Sequence, residues 1–170
     1  MHTKIVSYIP CKKNDYYVEI FGYCSKSVPG LEIVGLGQAG RVIKEKFIFL
    51  SREKGLKFPL KRFKLCVDLP EEDLKVINKE GDLSWLELPM LLVFWSLTEN
   101  LPIQKLDDCF SSGRVSLSGG ITENKSINYE EEKLQKMGIK KYIGLDDEAF
   151  EDLFNINIFE LLKELRVNGT

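Results

Sequence analysis

Three strand-like segments follow one another at the start of the chain, and no helical pattern separates them. Residues 4–9, 16–24 and 31–36 are rich in β-branched and aromatic side chains, a composition typical of strands. The polar residues 12–15 suit a hairpin turn between the first two segments. A run of strands at the start predicts a mixed sheet rather than a doubly wound parallel sheet.

Helical and strand-like patterns alternate through the rest of the chain. Helices are predicted at residues 39–54, 85–98, 129–137 and 158–165, a short helix from Asp146-Asp147 to about Leu153, and strands at 62–69, 113–121 and 141–145. Residues 70–84 are expected to form a long loop, or a loop with a short helix. Together these patterns predict a single α+β domain of residues 1–170, with helices packed on a mixed β-sheet.

The composition argues against several classes of protein. The 170 residues carry a net charge of −2, so no global basic field attracts nucleic acid and any such binding needs a local patch. The longest apolar run, residues 85–97, is too short to cross a bilayer and predicts a core helix. The first residues lack the apolar segment of a signal peptide. We therefore expect a cytoplasmic location and no membrane contact.

The spacing of the cysteines and the single histidine argue against a zinc site. The four cysteines are Cys11, Cys24, Cys66 and Cys109, without any CxxC spacing, and the only histidine is His2. Zinc sites of the usual kind need clustered Cys and His ligands. The wide scatter of the cysteines favours reduced, buried thiols in a cytosolic protein.

A glycine pattern at residues 35–40 resembles a dinucleotide-binding fingerprint. Gly35, Gly37 and Gly40 have the GxGxxG spacing and follow a predicted strand. In a true fingerprint that strand is the first of its unit and an acidic residue follows about 20 positions later. Here two strands precede it and the matching acid would be Asp68. Since no phosphate-binding GxxxxGK[ST] string occurs either, we expect no cofactor in this chain.

Ser84 precedes the apolar helix and has two interpretations. A serine at a loop-to-helix turn is a nucleophile when a base activates it, and Lys125 is the lysine to test for that role. The simpler interpretation is an N-cap that satisfies free N–H groups of the helix, and it is favoured. No catalytic residue is therefore assigned.

Two charged stretches also have alternative interpretations. Lys57, Lys61, Arg62 and Lys64 alternate with Phe58 and Phe63, a pattern that suits contact with DNA but equally suits a strand with one solvent-facing side. The acidic runs 71–73 and 130–132 could suggest a metal cluster. Consecutive helical residues do not share a face, so solvated surfaces are favoured and no metal site is assigned.

An ordered set of short segments resembles one known family. The segments are VPGLEIVGL at 28–36, GLKFP at 55–59, VDLP at 67–70, KEG at 79–81, ELP at 87–89 and GRVSLSG at 113–119. In this order and rough spacing they are similar to the N-terminal domain of the Mg-chelatase-like AAA+ proteins of the ComM (YifB) group. The resemblance implies the fold of the proteolytic domain of Lon protease. It also implies that the AAA+ ATPase domain of that family is absent from this chain.

The departures from the family pattern bear on activity. Gly37-Gln38 stands where the family has Pro-Asp, and this substitution creates the apparent dinucleotide fingerprint. Lon-type peptidases need a serine before the core helix and a lysine further on. Ser84 lies close to the first position, whereas the resemblance places Asn128 at the second. Because an amide cannot act as a base, peptidase activity is not expected.

The resemblance therefore implies a non-catalytic accessory or interaction domain of a ComM-like protein. Full members of the family are implied to be hexameric ATP-driven motors that act on DNA in natural transformation. Protein partners or self-association are expected, and DNA contact through Lys57, Lys61, Arg62 and Lys64 is possible. Two alternatives remain open: a degenerate Lon-like serine hydrolase that uses Ser84 and Lys125, and a stand-alone nucleic-acid-binding module.

Overall fold

The three opening strands enter one mixed sheet, as the sequence predicts. A computed structural model of the chain describes residues 1–123, 130–145 and 149–164. The strands described are β1 His2–Ile9, β2 Tyr16–Ser25, β3 Gly30–Val34, β4 Arg62–Val67, β5 Cys109–Phe110, β6 Arg114–Val115, β7 Ile121–Thr122, β8 Lys141–Gly144 and β9 Phe154–Asn157. Seven of them form a sheet in the order β3-β4-β2-β1-β5-β8-β9. The α+β class with a mixed sheet is confirmed.

Strand directions explain why the sheet is mixed. β1 pairs antiparallel with β2 through the predicted hairpin, with Ile9 opposite Tyr16, and β2 pairs antiparallel with β4. β3 runs parallel to β4, and β1, β5, β8 and β9 pair in parallel. β4 thus lies between β2 and β3 in the sheet. The helix between β3 and β4 makes the crossover that their parallel pairing requires.

The helices agree with most of the predicted segments. They are α1 Gln38–Glu53, α2 Glu71–Glu80, α3 Glu87–Leu97, α4 Glu131–Lys136 and α5 Ile158–Lys163, with a 3-10 turn at Leu83–Leu86. Gly55, at φ 68°, follows the end of α1, where glycine adopts a left-handed conformation without a steric cost. No helix in the described parts of the chain is long and apolar enough to cross a membrane.

The apolar helix α3 forms the centre of the core. Every residue of α3 is buried, and Pro89 lies in its first turn, where a missing N–H costs no hydrogen bond. α3 lies on β2 at Gly22, where an added Cβ atom would be 2.7 Å from Val93 Cγ1. α1 packs beside α3 on the same face, since Phe47 stacks on Phe94 with ring centroids 6.4 Å apart.

On the opposite face of the sheet, the described residues cover one half only. A second buried cluster, which includes Tyr8, Phe110, Leu134 and Tyr142, lies on the side of β1, β5 and β8. On the side of β2, β4 and β3, the aromatic side chains of Phe21 and Tyr23 are 42% and 36% exposed. We call this second half the open sheet face.

Two predicted segments need correction, one open alternative is decided, and two strands were missed. The strand predicted at 113–121 is a tight hairpin, in which β6 pairs antiparallel with β7. Of the two alternatives for residues 70–84, the one with a short helix is confirmed: the segment contains the ten-residue helix α2, and a 3-10 turn follows it. The described residues 149–153 are not helical, and β9 follows them directly; Asp146 and Asp147 lie outside the described residues. β5 and β9, which sequence reasoning missed, are two and four residues long, and they depend on pairing with β1 and β8 rather than on local pattern.

Candidate functional site

Ser84 lies in a small polar cluster at the entry to the core helix. The Asp82 side chain caps the 3-10 turn by accepting the Ser84 N–H at 2.9 Å. The Ser84 hydroxyl donates to the same carboxylate oxygen at 2.6 Å. Asp82 is therefore the N-cap of the 3-10 turn that leads into α3. The prediction that Ser84 is the cap is wrong by two positions.

Arg114, at the start of β6, completes this cluster. Its Nε donates to Ser84 Oγ at 2.6 Å, and a second guanidinium nitrogen donates to Asp82. The guanidinium carbon lies 4.1 Å from the centroid of the Trp85 ring, a cation–π arrangement. Ser84 thus donates one hydrogen bond and accepts another, and both partners carry formal charges.

The electrostatics of this cluster do not activate the serine. Burial alone would raise the pKa of the Asp82 carboxyl, but hydrogen bonds from Ser84 and the charge of Arg114 outweigh burial and lower it. A carboxylate with a lowered pKa is a weaker proton acceptor. Arginine cannot accept the proton either, because it stays charged in proteins. Asp82 is therefore a weak base and Arg114 is none, so this setting does not favour activation of a serine nucleophile.

The position of Lys125, the lysine proposed for the serine chemistry, cannot be compared with that of Ser84. Lys125 and Asn128 both lie outside the described residues. Lys46, on α1, is paired with Glu87 at the first position of α3. Glu87 is only 4% exposed, and its other oxygen accepts the Val115 N–H at 3.3 Å. This buried ion pair therefore ties α1, α3 and β6 together.

The glycines of the apparent fingerprint have packing roles. Gly35 has φ 102°, and a Cβ atom there would overlap the carbonyl oxygen of Val67. A Cβ atom on Gly40 would already touch Ile33 at 3.3 Å, so a small residue lets α1 approach β3. Gly37, at φ 58°, is the N-cap of α1. The turn and the helix–sheet contact account for the glycine spacing without a bound phosphate.

The basic stretch is divided between two sides of the sheet. Arg62 and Lys64 lie on β4, and their side-chain nitrogens are 2.9 Å and 3.8 Å from the Glu32 carboxylate. Lys57 is exposed in the loop after α1, whereas Lys61 lines an apolar cleft. Phe58 packs against Phe94, with ring centroids 5.0 Å apart.

Phe63, the second aromatic of this stretch, also packs against Phe94. Its side chain is only 2% exposed, and its ring centroid lies 5.8 Å from that of Phe94. Both rings of this stretch therefore belong to the helix-covered side, as in a strand with one buried face, and DNA contact through its cations stays a prediction.

Two exposed aromatic side chains, Phe21 and Tyr23, lie on the open sheet face. Tyr23 is opposite Lys64 and Phe21 is opposite Cys66 in the pairing of β2 with β4. On the other side of β2, Phe21 is opposite Lys4. Residues directly opposite on paired strands share a face. Sequence reasoning missed these aromatics because both alternating sets of β2 side chains contain large apolar residues, so the pattern does not reveal the exposed side.

The cysteines are free, but most are less buried than predicted. Cys109 is fully buried, whereas Cys11, Cys24 and Cys66 are half-buried. Burial, reinforced by Asp108, raises the pKa of the Cys109 thiol to about 12. Burial also raises the pKa of Cys11 and of Cys66. These three thiols are therefore poor nucleophiles at neutral pH.

The acidic runs behave mainly as solvated surface. Glu130 and Glu132 are exposed, while the Glu131 carboxylate accepts the N–H groups of Asp152 at 2.8 Å and Leu153 at 3.3 Å. Among the described residues, no group of three Cys, His, Asp or Glu side chains comes together as a metal site would require.

Comparison with known proteins adds no family assignment to this geometry. No protein-family model matches the sequence, and no curated protein matches it.

Proposed function

We propose that this chain is a non-catalytic interaction domain of the kind found at the N-terminus of ComM-like, Mg-chelatase-related AAA+ proteins, with the fold of the Lon proteolytic domain. One observation carries the proposal: the Ser84 hydroxyl is held between Asp82 and Arg114. A serine in this setting has as neighbours a carboxylate of lowered pKa, which is a weak base, and a guanidinium, which stays charged. The position nearest to a Lon-type nucleophile is thus occupied by a structural serine.

The placement of the motif segments supports a shared scaffold rather than a shared chemistry. Gly113, from the GRVSLSG segment, donates its N–H to Trp85 O at 2.9 Å and accepts the Leu88 N–H at 3.0 Å. An added Cβ atom on Gly113 would lie 3.0 Å from Leu88 Cδ2. Segments that are distant in sequence therefore meet in the core through backbone contacts.

A serine-reactive fluorophosphonate probe tests the absence of catalysis. We expect the native chain and Ser84→Ala to show the same background labelling by intact-protein mass spectrometry. Labelling that requires Ser84 would overturn the proposal and support the degenerate hydrolase. Arg114→Ala is a useful second variant, because labelling that appears only after this change would show that Arg114 suppresses a latent nucleophile.

The proposed context is cytoplasmic DNA processing, as in natural transformation, with other proteins or further copies of the domain as partners. It is supported by the ordered motif set alone. The coding sequence downstream of residue 170 tests it. A Walker motif there is expected, and an unrelated downstream domain would contradict the family placement.

A second candidate function is binding of single-stranded nucleic acid on the open sheet face. The specific observation in favour is the pair of exposed rings, Phe21 and Tyr23, beside Lys4 and Lys64. Bases stack on exposed aromatics while cations follow the phosphates. Phosphates would have to compete with Glu32 for Lys64 and Arg62, so the binding is expected to be salt-dependent.

Fluorescence anisotropy with a labelled oligothymidylate tests this second candidate. Phe21→Ala with Tyr23→Ala should weaken binding roughly tenfold or more, since stacking contributes about 1–3 kcal/mol per base. Phe159→Ala, which removes an exposed ring from α5, is the control. Equal affinity of the two variants would exclude the open sheet face as the site.

A further inference from the structure

A cleft of about 410 Å³ opens at the edge of the helix-covered side of the sheet. It lies between the C-terminal end of α1, the start of β3 and the loop that leads into β4. Its floor is apolar and consists of Leu31, Leu56, Phe58, Phe63 and Phe94. Clefts of this size with apolar floors are typical of binding sites.

The floor of the cleft is already formed in the free chain. Phe94 of α3 holds both neighbouring rings, because Phe58 and Phe63 pack against it in tilted and edge-on geometry. Leu31 and Leu56 are buried beside them. A ligand side chain would therefore meet a rigid apolar surface and would not have to order it, which favours binding.

The rim of the cleft presents an exposed leucine in a fixed turn. The Lys61 N–H donates to Pro59 O at 2.8 Å, and Lys61 O in turn accepts the Gly30 N–H at 3.2 Å. This tight turn leaves the Leu60 side chain 86% exposed. Val28, just before β3, is 74% exposed. Apolar side chains held in water at the rim of an apolar cleft extend its contact surface.

The charge of the cleft is positive although the chain as a whole is acidic. Arg52 and Lys61 line it, and no carboxylate among the described residues does. Neither cation forms an ion pair within the part of the chain that the structure describes. The whole chain has a net charge of −2. Two unpaired cations next to an apolar floor are complementary to a segment that combines an apolar side chain with carboxylates.

We propose that this cleft is the docking site for an extended peptide segment of a partner protein, in which a bulky apolar side chain is flanked by acidic residues. The apolar side chain fills the space above Phe94, and the carboxylates pair with Arg52 and Lys61. Leu60 lines the cleft at its open side, and both Leu60 and Val28 are exposed enough to contact a chain that continues past the cleft rather than a small enclosed molecule. The inference rests on the proposed interaction function and names the chemistry of its partner.

A pair of defined peptides tests the charge and the apolar anchor. The probe is a fluorescein-labelled octapeptide, Gly-Glu-Glu-Phe-Leu-Glu-Glu-Gly, and its matched control has lysine in place of every glutamate. By anisotropy with the full chain, the acidic peptide should bind at least tenfold tighter than the basic one. Replacement of its Phe-Leu pair by Ala-Ala should abolish that binding. Equal affinity of the acidic and basic peptides would overturn the proposal.

Two variants of the chain locate the binding on the cleft. Leu60→Glu and Lys61→Glu should each weaken binding of the acidic peptide at least tenfold. Leu117→Glu is the matched control, because Leu117 is 57% exposed and does not line the cleft; it should bind as the native chain does. Circular dichroism and the unfolding midpoint verify that all three variants are folded. Binding that survives both Leu60→Glu and Lys61→Glu would overturn the site.

Light scattering separates a foreign partner from a second copy of this chain. A concentration-dependent dimer that Leu60→Glu disrupts would place a second copy in the cleft and overturn the peptide assignment. A monomer that binds the acidic peptide supports it. The fluorophosphonate experiment on Ser84 tests the non-catalytic function independently. If Ser84 is not labelled and the acidic peptide does not bind, the result contradicts this inference but not the proposed function.

Discussion

Single residues at the entry to α3 decide what Ser84 can do. Asp82 accepts hydrogen bonds from both the backbone and the side chain of Ser84, and Arg114 binds both residues. A lysine in place of this guanidinium could release a proton and serve as a base, whereas arginine stays charged. Arg114 therefore fixes the Ser84 hydroxyl without supplying a base.

Removing the carboxylate of Asp82 should destabilise the fold modestly. Asp82→Asn keeps an N-cap acceptor but loses the charge that Arg114 binds, while Asp82→Ala loses both. We expect a loss of about 1 kcal/mol in the free energy of unfolding for Asp82→Ala, the usual contribution of a cap, and a smaller loss for Asp82→Asn. Urea unfolding measures both. Asp68→Ala, at an exposed position after β4, is the control, and an equal loss there would contradict the capping role.

The Asp82 carboxylate should make the free energy of unfolding depend on pH in the acid range. Because the folded pKa of Asp82 lies below its unfolded value, the unfolded chain binds more protons between the two values, and stability rises with pH there. The contribution is complete above the unfolded value of about 3.9 and is lost as pH falls through the lower folded value. Urea midpoints between about pH 2.5 and pH 6 should fall less steeply in Asp82→Asn than in the native chain. Parallel curves would contradict this.

The buried pair of Lys46 and Glu87 should be costly to break on one side. Lys46→Met leaves the Glu87 carboxylate, 4% exposed, without its cation, and loss of one partner of a buried pair costs about 3–5 kcal/mol. Lys46→Met combined with Glu87→Gln removes the unpaired charge and keeps an acceptor for Val115, so it should recover more than half of that loss.

Chemical denaturation of the single and double variants measures this coupling. Lys136→Met is the matched control, because Lys136 is 75% exposed and pairs only with Glu132 on the surface. It should cost less than about 0.5 kcal/mol. If the double variant at positions 46 and 87 recovers none of the stability that Lys46→Met loses, the pair is not coupled as the structure indicates.

At the scale of elements, the contact between α3 and β2 determines how closely the core helix approaches the sheet. Glycine is required at position 22, because a Cβ atom there would be 2.7 Å from a side-chain atom of Val93 and 2.8 Å from one of Leu97. α3 contacts β1, β2 and β4, so a shift at this point is transmitted to the middle of the sheet. Packed interiors accommodate such shifts poorly.

Gly22→Ala should therefore destabilise the chain by overpacking. We expect a loss of about 1–3 kcal/mol, the usual range for an extra methyl group in a filled core. Leu97→Ala creates space beside the new methyl group, so the double variant should lose less than the sum of the two single losses. A double-mutant cycle by urea unfolding measures this difference, and simple additivity would contradict the contact.

At the scale of the whole molecule, the sheet has a well-supported centre and weaker ends. β1 and β2 have strands on both sides, while β9, within the described residues, has a neighbour on one side only. The helix-covered side carries the main core, whereas the opposite side is covered over one half. Protection of the backbone should follow this arrangement, because local opening needs less energy where fewer contacts are lost.

Hydrogen exchange followed by mass spectrometry should reveal this order. Amides of β2 and α3 should exchange at least tenfold more slowly than those of β9, since the inner elements open only with the whole domain. The β3 edge should be intermediate, because α1 packs against it. Protection of β9 equal to that of β2 would contradict the described sheet order.

Local patterns in the sequence determined the elements that are long and strongly patterned. The hairpin of β1 and β2, the helix α1 with Gly55 after it, the core helix α3 and the α+β class all follow from residue type and spacing. They do so because each is stabilised mainly by neighbours in sequence or by burial of an obvious apolar set. The Asp82 cap could also have been found, since an acidic residue before a helix is a common cap.

Only the tertiary structure decided which side of each element faces the core. The two-residue strand β5 exists because Phe110 pairs with Val6, more than a hundred positions away in sequence. Arg114 meets Ser84, and Phe63 turns inward while Phe21 turns out, for the same reason. These outcomes depend on packing between distant segments, whose energy no local pattern contains, and the polar cluster at Ser84 and the apolar cleft at Leu60 are both products of that packing.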